Sequence, residues 1–172
     1  MTDAEFQAVF DAHKDAVYRF VWRMARSPAA AEDITQDVFI AVLRSPERFD
    51  PARGTQRAFL LGIARNLVLK HWRAEHRFEP LDDDVTARDN AVASPFDLGQ
   101  GDVGEMVGRA VGALGPLQRE VVILAEYEGL TLAEVARAVD ADVGTVKSRL
   151  HRARENLRRM LAPLRSRQAT TT

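Results

Sequence analysis

Cysteine is absent from the 172 residues, which removes disulfides, thiolate zinc sites and cysteine nucleophiles together. No run of about 18 consecutive apolar residues occurs, so no membrane-spanning helix is expected. The opening Met1-Thr2-Asp3-Ala4-Glu5 is acidic and lacks the basic start and apolar block of a secretion signal, so the expected location is cytoplasmic. Glycine-rich phosphate loops and nucleophile motifs are missing too. His13, His71, His76 and His151 show no metal-ligand spacing, and Asp82-Asp83-Asp84 lacks the glycine and glutamate spacing of a calcium loop. The reading is a chain that is not an enzyme and has no catalytic residue, metal or cofactor. Alternating strand patterns are absent as well.

What is present is helical periodicity. Phe6, Val9, Phe10, His13, Val17, Phe20, Val21 and Met24 recur every three or four residues. Ser27-Pro28 fits a cap followed by proline at the first helical position. A second helix is expected from about Pro28 to Leu43, with Ile34, Val38 and Val42 inward. Pro46, Pro51 and Gly54 mark a loop, and Thr55 caps a third helix carrying Phe59, Leu60, Ile63, Leu67 and Trp72. The pattern breaks over residues 79–101, which hold Pro80, Pro95, Gly99, Gly101 and many acids. Helical spacing resumes at Asp102. The expected fold is all-α: two small helical domains, 1–78 and 102–165, joined by a flexible acidic linker, 79–101, with a disordered tail at 166–172.

A net charge of −1 says little, but its distribution is uneven. Residues 57–77 carry five basic side chains against Glu75, a net +4; residues 147–167 carry eight against Glu155, a net +7; residues 78–105 carry eight acids against Arg88, a net −7. Local cationic faces mark contact with a polyanion, although a solvated helix face also explains either patch alone.

The most specific signal runs from Thr131 to Arg154. Thr131-Leu132-Ala133-Glu134 has the form of a capping box. A short helix with Leu132, Val135, Ala136 and Val139 inward precedes the turn Asp140-Ala141-Asp142. Asp142 then caps a helix whose inward residues are Val143, Val146, Leu150, Ala153 and Leu157. Its other faces carry Thr145, Lys147, Ser148, Arg149, His151, Arg152 and Arg154. This is the plan of a helix-turn-helix, whose second helix enters the major groove of DNA; an ordinary amphipathic helix hairpin with a charged exterior is the alternative, and the turn, the cap and the net +7 patch together favour the first.

At these residues the chain resembles the extracytoplasmic-function (ECF) sigma factors of bacterial RNA polymerase, within the primary-type sigma family. Gln118–Val122, Glu128–Ala136 and Gly144–Arg154 are similar to that family's fourth domain. Ala31–Phe39 resembles the segment that docks on the polymerase clamp helices, and Phe59–Leu67 the helix that meets the minus-ten element. The resemblance implies core polymerase binding through Glu32, Asp33, Gln36, Asp37 and Phe39. It implies minus-ten contacts by Arg57, Arg65, Asn66, Lys70 and Arg73, with the loop Arg44–Arg53 placed to hold a flipped base. It implies minus-thirty-five contacts by Thr145, Lys147, Ser148, Arg149, His151 and Arg152. Core RNA polymerase, promoter DNA and an anti-sigma factor are the implied partners. The linker corresponds to a segment in the RNA exit path or is a solvated spacer. Asn66 reads equally as a capping or core amide, and Trp72 as packing or stacking. Three positions depart from the family pattern: Asp140 stands in place of a turn glycine, Lys70 of an aspartate and Phe59 of a tryptophan. The alternative is a stand-alone helix-turn-helix regulator with an N-terminal dimerisation or sensing domain.

Overall fold

The structure, a computed structural model, describes residues 1–75, 97, 99 and 101–169. Almost all of the expected linker lies outside the described residues. The described elements are helical, with no strand among them.

The N-terminal half has three helices: α1 (Asp3–Ala25), α2 (Pro28–Arg44) and α3 (Gln56–Ala74). Each begins on a side-chain cap that satisfies an otherwise orphaned amide. Thr2 and Glu5 form a reciprocal capping box on α1. Ser27 accepts from Ala30 N ahead of Pro28, and Thr55 accepts from Ala58 N. Arg26 closes α1 in the left-handed conformation, φ 54°, with its amide on Trp22 O. The loop after α2 makes two short 3₁₀ turns, Pro46–Arg48 and Pro51–Arg53, and Phe49 is anchored against Phe59 at 5.5 Å between ring centroids.

The C-terminal half contains α4 (Val103–Ala113), α5 (Pro116–Val122), α6 (Leu132–Ala138), α7 (Val143–Met160) and α8 (Ala162–Ala169). After Val122 the backbone of α5 widens to π geometry over Ile123–Tyr127. Residues 166–169, expected in a disordered tail, form the end of α8.

The halves are not held apart. One buried apolar cluster runs from Val17, Phe20 and Leu61 through Val111 and Val121 to Val135, Val146 and Leu150. Helix α3 is the pivot: it packs on α1 and α2 and also on α6. This explains its apolar distribution. Ala58, Leu60, Leu61, Ala64, Val68, Leu69 and Trp72 are buried and cover about half of the helix circumference, a stripe broad enough for several neighbours, while Asn66, Lys70 and Arg73 lie on the opposite side.

Candidate nucleic-acid interface

The helix-turn-helix forms as its sequence dictates. Thr131 accepts from Glu134 N at 3.2 Å and Thr131 N donates to Glu134 Oε2 at 2.9 Å. That backbone hydrogen bond, helped by one from the Thr55 hydroxyl, holds the Glu134 carboxyl below the usual glutamate range. Asp140 takes φ 53°, and Ala141 N reaches back to Ala136 O at 3.0 Å. Aspartate is one of the few side-chain-bearing residues that tolerate this conformation, so the turn survives without the usual glycine. Asp142 then accepts from Thr145 N at 2.7 Å, and this bond lowers its carboxyl pKa.

Helix α7 is anchored through Val146, Leu150, Ala153, Asn156 and Met160, all buried. Val143 and Leu157, both expected inward, are exposed and half-buried respectively. Lys147, Ser148, His151 and Arg152 are exposed and Thr145 is half-buried, so four of the six expected reading residues stand fully in solvent. Arg149 is half-buried, and its charge acts on the carboxyl of Glu120. His151 pairs with Glu155 at 3.3 Å, and His71 with Glu75 at the same distance, which makes both surface histidines.

On α3 the five expected residues divide. Asn66, Lys70 and Arg73 are exposed; Asn66 accepts from Arg65 at 3.3 Å and belongs neither to a cap nor to the core. Arg57 and Arg65 instead face the second half. Arg65 Nε and Nη2 form a fork on Glu120 at 2.7 and 3.1 Å, and Arg57 Nη2 pairs with Glu128. Glu128 also draws Arg23 at 3.6 Å and Arg19 at 3.8 Å. Burial pushes the Glu120 carboxyl up, and Arg65 offsets part of that shift.

Arg119 completes this seam. It donates to Met24 O and Leu114 O at 2.6 and 2.9 Å, and lies 5.6 Å from the buried Trp72 ring. Burial, with Arg26 nearby, lowers its pKa to about 10, which leaves it charged at neutral pH. Trp72 is therefore a packing residue. Between the 3₁₀ loop and α6 lies a cavity of about 410 Å³ lined by Arg48, Phe49, Arg53, Asn66, Glu134 and Arg137 among others. The loop expected to hold a flipped base thus opens onto a space that α6 covers.

Helix α2 presents Glu32, Asp33, Gln36 and Asp37 to solvent. Phe39, expected beside them, turns inward: it is 3% exposed, with its ring 4.9 Å from Phe10 in an edge contact. The apolar residues that share the exposed side are Ile40 and Leu43, at 40% and 52% exposure. Sequence periodicity carried their signal, since Gln36, Ile40 and Leu43 are spaced four and three apart, but a bulky phenylalanine in the motif drew the assignment instead.

The described residues contain no group of acids and histidines placed to hold a metal ion, and no helix long and apolar enough to cross a membrane. Residues 9–78 match the family described as Sigma-70 region 2, and residues 104–157 match Sigma-70, region 4. The chain is 33% identical over 150 residues to the ECF RNA polymerase sigma factor SigK of Mycobacterium sp. (strain KMS), covering 84% of this chain and 77% of that protein. It is 36% identical over 155 residues to SigE of Mycolicibacterium smegmatis, covering 87% of this chain and 59% of SigE. Among solved structures, CnrH in complex with the cytosolic domain of CnrY aligns with a TM-score of 0.68 at 25% identity, over 94% of this chain and 90% of CnrH. The sigma factor RpoE bound to the anti-sigma factor NepR from Bartonella quintana shares the fold, with a TM-score of 0.72 at 24% identity over 92% of this chain and 97% of RpoE. The two matched regions, in this order and on this helical framework, place the chain in the ECF group of RNA polymerase sigma factors, which direct promoter-specific initiation of transcription.

Proposed function

We propose that the three faces described above divide the work of a sigma factor among named residues. The exposed strip of α2, formed by Glu32, Asp33, Gln36 and Asp37 with Ile40 and Leu43, grips core polymerase. A polar, acidic strip suits an arginine-rich partner helix, and the two apolar side chains supply area that excludes water there. Helix α3 addresses the minus-ten element through Arg57, Arg65, Asn66, Lys70 and Arg73, whose positive charge suits an unpaired strand. Helix α7 reads the minus-thirty-five element through Thr145, Lys147, Ser148, Arg149, His151 and Arg152.

The observation that carries this reading is the division of α7. Its Val146, Leu150 and Ala153 side is locked into the scaffold, while Lys147, Ser148, His151 and Arg152 stand in solvent. A helix anchored on one side and cationic on the other fits the major groove, where arginine bonds guanine edges and lysine meets phosphate.

The proposed modules are residues 1–78 and 102–165. The acidic segment between them acts as a tether that raises effective concentration once polymerase holds both. The chain works in the cytoplasm by binding alone, with the chemistry left to polymerase. An anti-sigma factor is its regulator, as the complexes of its structural relatives suggest.

Run-off transcription tests the proposal. Purified chain and core polymerase acting on genomic promoter fragments should give discrete transcripts. Lys147→Ala/Arg152→Ala should lose them while retaining core binding. A chain that forms no stoichiometric complex with core would return the protein to the stand-alone regulator reading.

A further inference from the structure

Two of the three arginines that α3 would offer to promoter DNA, Arg57 and Arg65, are already occupied by buried carboxylates of the other half. Glu120 has no exposed surface, and Arg65, bonded to it through two nitrogens, keeps 12% of its side chain exposed. The Glu128 side chain is 1% exposed and is surrounded by Arg19, Arg23 and Arg57. Both glutamates belong to the helix-turn-helix half, and the arginines within ion-pair distance of them, Arg19, Arg23, Arg57 and Arg65, belong to the N-terminal half. A guanidinium fork takes carboxylate and phosphate with the same geometry.

We propose that Glu120 and Glu128 are internal stand-ins for DNA phosphate, a latch that keeps α3 from an unpaired strand until the halves are drawn apart. The inference rests on the reading of α3 as the minus-ten surface. Three further observations support it. Helix α6 lies on α3, so the helix that would cross the DNA backbone in a helix-turn-helix complex covers part of the surface that would meet melted DNA. The same helix, through Glu134 and Arg137, forms one wall of the cavity beside the 3₁₀ loop. The latch is also one-sided: Lys147, Ser148, His151 and Arg152 on α7 remain in solvent while Arg57 and Arg65 are engaged. The closed chain therefore leaves the α7 face exposed and withholds the Arg57 and Arg65 part of the α3 face.

Two carboxylates buried against guanidiniums suit a latch better than a permanent weld. A buried pair recovers little over an apolar contact of the same shape, but it chooses its partner strictly. When the halves part, both carboxylates gain water and the freed arginines have a phosphate backbone to bind.

The absence of cysteine makes the test direct, because a dye pair can be placed without removing native thiols. Donor and acceptor are attached to the full chain through Ala12→Cys and Ala133→Cys, exposed positions on α1 and α6. The DNA probe is a labelled single-stranded 12-mer of mixed sequence. Relative to the otherwise wild-type labelled chain, Glu128→Gln and Glu120→Gln should lower energy transfer. They should raise affinity for the 12-mer by up to about tenfold, the gain expected if the open form is a tenth of the population. Adding Arg57→Ala to Glu128→Gln should cancel the gain in affinity while energy transfer stays low. Circular dichroism is the folding control, with the glutamine variants compared at wild-type helix content, and Glu128→Asp, which keeps a carboxylate among Arg19, Arg23 and Arg57, should retain most of the energy transfer. Wild-type affinity for the 12-mer in a Glu128→Gln chain of low energy transfer overturns the latch, as does unchanged energy transfer in both glutamine variants. The α3 reading is judged separately by run-off transcription: full activity of Arg65→Ala with core polymerase removes that reading whatever the dyes report.

Discussion

Asn156 donates its side-chain amide to Gln118 Oε1 at 2.8 Å, inside the helix-turn-helix half. The bond ties the C-terminal part of α7 to α5 where periodicity alone predicts only apolar contacts. Both residues are buried, and Arg159 donates to Asn156 Oδ1 from the rim. Asn156→Leu leaves the Gln118 amide without its partner and should cost about 1–3 kcal/mol. Urea unfolding followed by circular dichroism measures this, and a loss below a few tenths would show that the bond contributes nothing.

Arg119 joins the halves through the carbonyls of Met24 and Leu114 and through the Trp72 ring. Arg119→Met keeps the bulk and removes the donors. The expected loss is about 1–3 kcal/mol for two buried carbonyls left unpaired. Trp72 fluorescence should shift in the folded state as well, since the cation leaves its ring. An unchanged spectrum would place the guanidinium elsewhere in solution.

The caps of α6 and α7 make stability depend on pH in a defined direction. Glu134 and Asp142 both have pKa values lowered by backbone amides. A lowered value stabilises the fold above the ordinary carboxylate range, and the contribution fades as pH falls through the folded values. These two caps should thus lose their contribution as pH drops below about 4, while the raised Glu120 carboxyl acts in the opposite sense. Asp142→Asn keeps a capping oxygen but cannot titrate, so it should flatten the acid limb of a plot of urea midpoint against pH. Identical limbs for wild type and variant would contradict the assignment.

Lys147 and Arg152 should differ from Ser148 in their response to salt. Each cation that meets a phosphate releases counterions, so removing one should reduce the slope of log affinity against log salt by about 1. Gel-shift titrations from low to moderate salt on a promoter duplex read the slope. Ser148→Ala should leave it alone. A slope insensitive to both cationic positions would detach α7 from DNA.

Ile40 and Leu43 should contribute to polymerase binding although neither contributes to the core. Ile40→Ala/Leu43→Ala should leave the thermal midpoint nearly unchanged and weaken capture by immobilised core polymerase roughly tenfold or more, the scale expected of apolar anchors at an interface. Phe39→Ala should do the reverse: it opens a cavity beside Phe10 and costs about 3–5 kcal/mol of stability.

Much of this was legible in the sequence because it is local. Caps at Ser27, Thr55, Thr131 and Asp142 are set by the residue and its next three neighbours, and all four occur. The helix-turn-helix follows from those caps and the spacing of Val135, Val146 and Leu150. The packing of one half on the other was not legible. Arg57 and Glu128 are 71 residues apart, and Arg65 and Glu120 are 55 apart, beyond any periodicity. A glutamate in a cationic neighbourhood reads as solvated until the fold shows it buried. Phe39 was misplaced for a related reason: motif membership says which segment matters, and only packing says which side of the helix each residue takes. Residues 76–96, which include most of the expected linker, lie outside the described residues.

The apolar cluster that continues from Leu61 to Val135 joins the two halves through shared buried surface. Any protein that spreads them must first strip neighbouring oily surfaces of each other, and the work of doing so is deducted from its own grip. Recruitment by polymerase is then set by the tightness of this join as much as by the contact strip on α2. Where several initiation subunits vie for a limited pool of polymerase, substitutions at Leu61 or Val135 would change this chain's share without touching a residue that meets either DNA or enzyme.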